Sequence, residues 1–197
     1  MAAKRKLSSG KRKLLIVIGV ILVLGVLGGG FTWYKFFREE PQPDWITKDP
    51  DMRFKYGSIG AEREAGMPYW IFYVLPRMFP EKLPKPGGWA AFGVSWEQGQ
   101  ELPIGFTKKV VGFPRVANNC ASCHAARYRT SLEENPTFVG SGPGHTLYLV
   151  GLFRFFVDCA KDPRFNADNM MREIRLVTNL SWIDRMIYRF VLIPVTK

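Results

Sequence analysis

The chain has 197 residues, 47% hydrophobic and 23% charged, with 28 Lys/Arg against 17 Asp/Glu and a net charge of +11. That length suits one compact domain plus an anchor, and the composition excludes an intrinsically disordered chain. The excess charge also gives no case for nucleic acid: residues 1–38 hold eight Lys/Arg and no acid, while residues 39–197 hold twenty basic against seventeen acidic side chains.

Residues 1–13 form a basic tail that the positive-inside rule assigns to the cytoplasm. From Leu14 to Tyr34 the run "LLIVIGVILVLGVLGGGFTWY" has no charge over twenty-one residues. At about 1.5 Å per residue a helix there spans roughly 30 Å, the thickness of a bilayer's hydrocarbon core. Residues 14–37 are therefore expected to anchor the chain in a bacterial inner membrane by a single pass. Phe31, Trp33 and Tyr34 fall at the far interface, and the rest lies on the periplasmic side. Gly28 and Gly30 also allow a cleaved signal peptide, although the apolar run is longer than a usual signal core.

Residues 38–51, "REEPQPDWITKDPD", read as an extended spacer because of their three prolines and dense charge. Residues 52–197 are then the exported domain. In its first part, "AGMPYWIFYVLPRMFPEKLPKPGGWAAFG" holds five prolines, which keep helices short and loops long. The apolar run Tyr69–Leu75 is too short to cross a membrane and reads as a core helix, with a patch lying on the membrane as its alternative. A helix is expected over 116–130 with Asn118 or Asn119 as its cap. Further helices are expected over 146–160, apolar nearly all round, over 166–177 with Asn166 as cap, and over 180–193 with Pro194 beyond. No strand pattern is strong.

The chemistry is concentrated in Cys120-Ala-Ser-Cys123-His124. Two thiols three positions apart on a helical turn can form thioethers to the two vinyl groups of one haem, and the next histidine then faces the iron as proximal ligand. Such attachment takes place on the outer side of the membrane, where the anchor puts this segment. A zinc site would need two more ligands from His124, His145 and Cys159 but lacks a second closely spaced pair. A redox dithiol would want a strand leading into the motif and a βαβ unit. Cys159, within "LFRFFVDCA", reads as a buried small hydrophobe. The haem's sixth ligand stays open among His145, Met170, Met171 and Met186. A second strong ligand makes an electron carrier, whereas an open position admits oxygen or peroxide.

Three stretches flanking and including the motif carry a resemblance: "FKYGSIGAE" (54–62), residues 67–124 with their "GFPRV" lead-in, and "FFVDCAKDPRFNAD" (155–168). They resemble the N-terminal part of membrane-anchored, rubber-oxygenase-like cytochromes c, related to di-haem cytochrome c peroxidases. The resemblance implies one covalent haem c at Cys120 and Cys123 with iron on His124. It also implies a mostly α fold, a helical cytochrome c-like domain with long Pro/Gly-rich loops behind the transmembrane helix. Relatives of this kind are longer and carry a second haem motif, while this chain holds one up to Lys197. Two-haem chemistry is therefore not carried over, and an N-terminal portion of a longer di-haem enzyme remains an alternative.

The expectation that follows is a mono-haem electron carrier serving an integral membrane complex: a photosynthetic reaction centre, a quinol-oxidising complex or an oxidase. Lys108, Lys109, Arg115, Arg127 and Arg129 flank the motif and would steer an acidic partner to it. A haem peroxidase or oxygenase with an open distal side, and an accessory subunit packing a larger complex through its anchor and the 69–80 patch, are the other expectations.

Overall fold

The computed structural model describes residues 9–142 and 146–197. Its first element, α1 (Ser9–Phe36), buries no residue, and Leu22, Val26 and Leu27 are all more than 60% exposed. Its apolar stretch, covered by no other described part of the chain, is long and apolar enough to span a membrane.

The chain does not leave α1 as a free spacer. The backbone N–H of Gly112 donates to the Arg38 carbonyl (2.7 Å) and that of Glu40 to the Val110 carbonyl (3.0 Å), so residues 38–40 pair along a sheet edge. Gln42 then ties the segment in three ways. Its Nε2 donates to the Tyr56 and Lys108 carbonyls, and its Oε1 accepts from the Ser58 N–H. The prolines that suggested an extended spacer exclude a regular strand, and side-chain hydrogen bonds dock the chain instead. Two short helices follow, α2 (Asp44–Thr47) and α3 (Pro50–Tyr56), the latter capped by Asp49, which accepts from the Asp51 and Met52 N–H groups. Next comes α4 (Ala61–Ala65).

Strand β1 (Met67–Pro68) leads into α5 (Tyr69–Met78), which buries Tyr69, Ile71, Phe72, Val74, Leu75 and Pro76. This run is therefore core and not a membrane patch. Behind it, β2 (Phe106–Val111) and β3 (Phe113–Asn118) form an antiparallel hairpin about Gly112, with β1 on the far side of β3. Gly112 has φ +72°, and a Cβ there would lie 2.4 Å from the Phe36 backbone. Glycine thus lets the hairpin tip touch the end of α1.

One helical turn, α6 (Ala121–His124), follows, and then a second antiparallel hairpin of β4 (Ala125–Tyr128) and β5 (Thr137–Gly140). The expected helix over 116–130 is thus a single helical turn between two strands, and the described residues hold five strands although no strand pattern is strong in the sequence. The fold is still mostly helical (56%). Helix α7 (Leu149–Lys161) buries Gly151, Leu152, Phe155 and Cys159 but exposes Val150, Phe153 and Val157, so it is amphipathic and not buried all round. In α8 (Ala167–Val177) Asn166 caps the first turn as expected, accepting from the Asn169 N–H at 3.0 Å.

The last segment runs as α9 (Trp182–Ile187), a π-helical turn over Tyr188–Leu192 and α10 (Ile193–Thr196). It continues through Pro194, expected to lie beyond it, because a proline at the start of α10 forfeits no hydrogen bond of the new helix.

Two apolar clusters result. The larger joins α5, α7, α8 and the C-terminal segment around a stack of Phe72 on Trp89, whose rings lie 4.1 Å apart at 8°. The smaller gathers Ile46, Tyr56, Ile104, Ala121 and Ala125, with Met52, Phe54 and Phe138 against it.

Candidate functional site

Cys120, Cys123 and His124 all sit on the single turn at the end of the β2–β3 hairpin away from Phe36. That hairpin's six-residue strand is about 17 Å long at roughly 3.4 Å per step. The turn closes by the His124 N–H donating to the Cys120 carbonyl at 3.0 Å and the Cys123 N–H to the same oxygen at 3.2 Å. Both thiols are free and exposed, and His124 is exposed beside them.

The turn is held from below by a residue with no chemistry of its own. Asn119, 7% exposed, donates through Nδ2 to the Phe54 (3.2 Å), Lys55 (3.3 Å) and Gly57 (3.1 Å) carbonyls, and its Oδ1 accepts from the Ala121 N–H at 2.9 Å. One amide thereby binds the motif to α3; Cys120, not Asn118 or Asn119, stands at the N-cap of α6, because the helix begins later than expected. Ser122 donates to the Gly105 carbonyl at 2.7 Å. Gly105 has φ +87°, and a Cβ would meet the Ser122 nitrogen at 2.2 Å, so this close approach requires glycine.

Around the turn lies a polar frame that the motif alone did not announce. The ammonium of Lys55 is buried between Asp51 (2.6 Å) and Glu97 (2.7 Å), and Tyr56 donates to Glu97 at 2.8 Å. Burial pulls the Lys55 pKa down, but its two carboxylate partners outweigh that and leave it raised. Glu62, also buried, accepts from Ser58 at 2.5 Å and from Thr107. A cleft of about 480 Å³ borders Cys120, with Pro50, Phe54 and Ile59 as apolar lining and Lys48 and Arg53 as cations.

No family model, curated protein or solved structure matches the chain. Assignment therefore rests on the chemistry of the turn.

Two exposed thiols and an exposed imidazole on one turn, with Cys120 lining a partly apolar cleft, are a donor set that fits covalent attachment of a haem. Among the described residues no group of three or more His, Cys, Asp or Glu side chains is placed to hold a metal, and His145, one of the zinc candidates, lies outside them. Cys159 is buried in the larger cluster, where burial pushes its thiol up to about 12 and keeps it an inert hydrophobe. The redox-dithiol alternative has a strand leading into the motif after all, but among the described residues that strand pairs only antiparallel and belongs to no βαβ unit.

The candidates for a sixth ligand separate. Met170 and Met171 are buried on α8 in the larger cluster, and Met186 is half exposed on α9. His145 lies outside the described residues. Met52 on α3, which is not among the candidates from the sequence, packs against the cluster that carries Ala121. Of the flanking cations, Lys108 pairs with Glu101, Lys109 with Glu39, and Arg115 donates to the Val111, Arg63 and Phe36 carbonyls. Arg127 and Arg129 remain exposed, with no salt-bridge partner among the described residues.

Proposed function

We propose that this chain is a membrane-anchored mono-haem c-type cytochrome that passes single electrons to or from an integral membrane redox complex. The observation that carries the proposal is the exposure of Cys120, Cys123 and His124 together on one helical turn. Residues 54–62, 67–124 and 155–168, with their resemblance to anchored cytochromes c, support it further. Haem supplies one-electron chemistry at a potential set by its axial ligands and burial. The chain's own residues do the rest: the two thiols bind, His124 supplies the proximal base, and Asn119 and Ser122 hold the turn. Arg53 and Lys48 offer cations to the carboxylates a haem carries. In this proposal α1 crosses the inner membrane, with residues 1–13 in the cytoplasm and the motif outside.

A haem enzyme with an open distal side is favoured by one observation. Met170 and Met171, two of the ligands expected from the sequence, are packed into the other cluster. Haem staining after denaturing electrophoresis tests the attachment, and Cys120→Ala with Cys123→Ala must abolish it. A reduced spectrum unchanged by carbon monoxide then favours the carrier. A carbon monoxide shift favours the enzyme, and a shift that arises only in Met52→Ala identifies Met52 as the closing ligand.

A further inference from the structure

We infer that, given the anchoring proposed above, the exposed face of the C-terminal segment 182–196 lies in the headgroup–acyl boundary of the same bilayer, as a second membrane contact beside α1. This face carries Trp182 (74% exposed), Met186 (51%), Phe190 (61%) and Val195 (81%). Steps of four residues keep Trp182, Met186 and Phe190 on one helical stripe. The π-helical turn then lets Leu192 and Ile193 both point inward while Phe190 and Val195 stay outside.

Exposure alone would not say what covers this face. The continuity with α1 does. Lys35, in the last turn of α1, bonds Asp184 at 2.8 Å, which sets the start of α9 level with the end of the spanning helix. Trp33, Tyr34 and Phe37 are exposed at that same level, so Trp182 extends an aromatic girdle already begun on α1. The guanidinium of Arg38 stacks on Tyr34 at 4.4 Å, and Phe36 packs edge-on against Phe113 at 6.3 Å. The Phe36–Phe113 contact joins the end of α1 to the β2–β3 hairpin. Exposed Arg185 and Lys197 put positive charge beside the apolar stripe, as an interfacial helix on anionic lipid requires, while Arg189 is paired with Asp168. Helix α7 shows a comparable apolar stripe, but among the described residues no salt bridge or hydrogen bond ties it to α1.

The test uses the full-length protein in vesicles of phosphatidylcholine and phosphatidylglycerol, with a photoreactive benzophenone amino acid replacing Val26, Phe190 or Phe153 in turn. All three side chains are exposed, so folding is expected to survive, and haem content with circular dichroism verifies it. Lipid adducts are expected at positions 26 and 190, several-fold above position 153. Adducts at 26 without adducts at 190 overturn the inference and leave the anchor standing. Equal yields at 190 and 153 overturn it too, since any exposed apolar side chain would then capture lipid. No adduct at 26 removes the anchor and the inference with it.

Discussion

The two apolar clusters are held by different forces. The larger is an aromatic and aliphatic interior in which Phe72, Trp89, Phe92 and Phe155 interlock, and close packing supplies its stability. The smaller has five buried side chains, two of them alanines, and is positioned by hydrogen bonds from Asn119, Lys55 and Gln42. The Cys120–His124 turn is built on the smaller cluster. A scaffold that leaves its own core thin next to two exposed thiols gains most from a bulky apolar group fastened there, because binding to the native state alone stabilises it.

Substitutions separate the two clusters by size of effect. Phe155→Ala is expected to cost about 3–5 kcal/mol and to lower the denaturation midpoint of the whole domain, read by circular dichroism in urea. Asn119→Ala removes a donor from three carbonyls, of which that of Lys55 keeps the Gly105 N–H, and an acceptor from the Ala121 N–H, and is expected to cost about 1–3 kcal/mol. Its damage should be local: hydrogen exchange speeds up over 120–128 while α5 and α8 stay protected. Equal acceleration in α5 would mean that the clusters are one cooperative unit.

The third effect depends on pH. Because the pKa of Lys55 is raised in the folded state, its stabilisation is fully present below the ordinary amine value of 10.5 and is lost as pH rises through the raised one. The urea midpoints of the parent and Lys55→Met should therefore converge above about pH 10.5, and a constant gap would assign no such role to the charge. The smallest effect costs no stability. Haem-free protein at neutral pH should take two maleimides, at Cys120 and Cys123, and a third at Cys159 only in denaturant.

Composition and local rules made α1, α5 and α8 legible, since an uncharged run, a buried apolar stretch and an Asn166 cap are all signals within a few residues. The Cys-Ala-Ser-Cys-His turn was legible for the same reason. The hairpin of β2 and β3 was not, because Lys108, Lys109 and Pro114 blur its alternation, and only Gly112 between Val111 and Phe113 marks the turn. Nor was the docking of residues 38–42, whose partners lie as far off as Lys108 and Val110. Asn119 looked like an ordinary helix cap. Its three bonds to α3 depend on chain 62–65 positions away, which no local pattern encodes.

The pairing of Lys35 with Asp184 joins residues 149 positions apart, and this bears on the order of biogenesis. In the proposed topology α1 is held in the membrane from the start, whereas its latch residue Asp184 is made after the Cys120–His124 turn. The Cys120–His124 segment is synthesised some sixty residues earlier, which at 5–20 residues per second is roughly 3–12 s. Throughout that interval the thiols are tethered at the membrane on a chain that has not yet closed. If the turn carries a haem as proposed, that interval is a window in which the thiols could be modified before Lys35 and Asp184 pair.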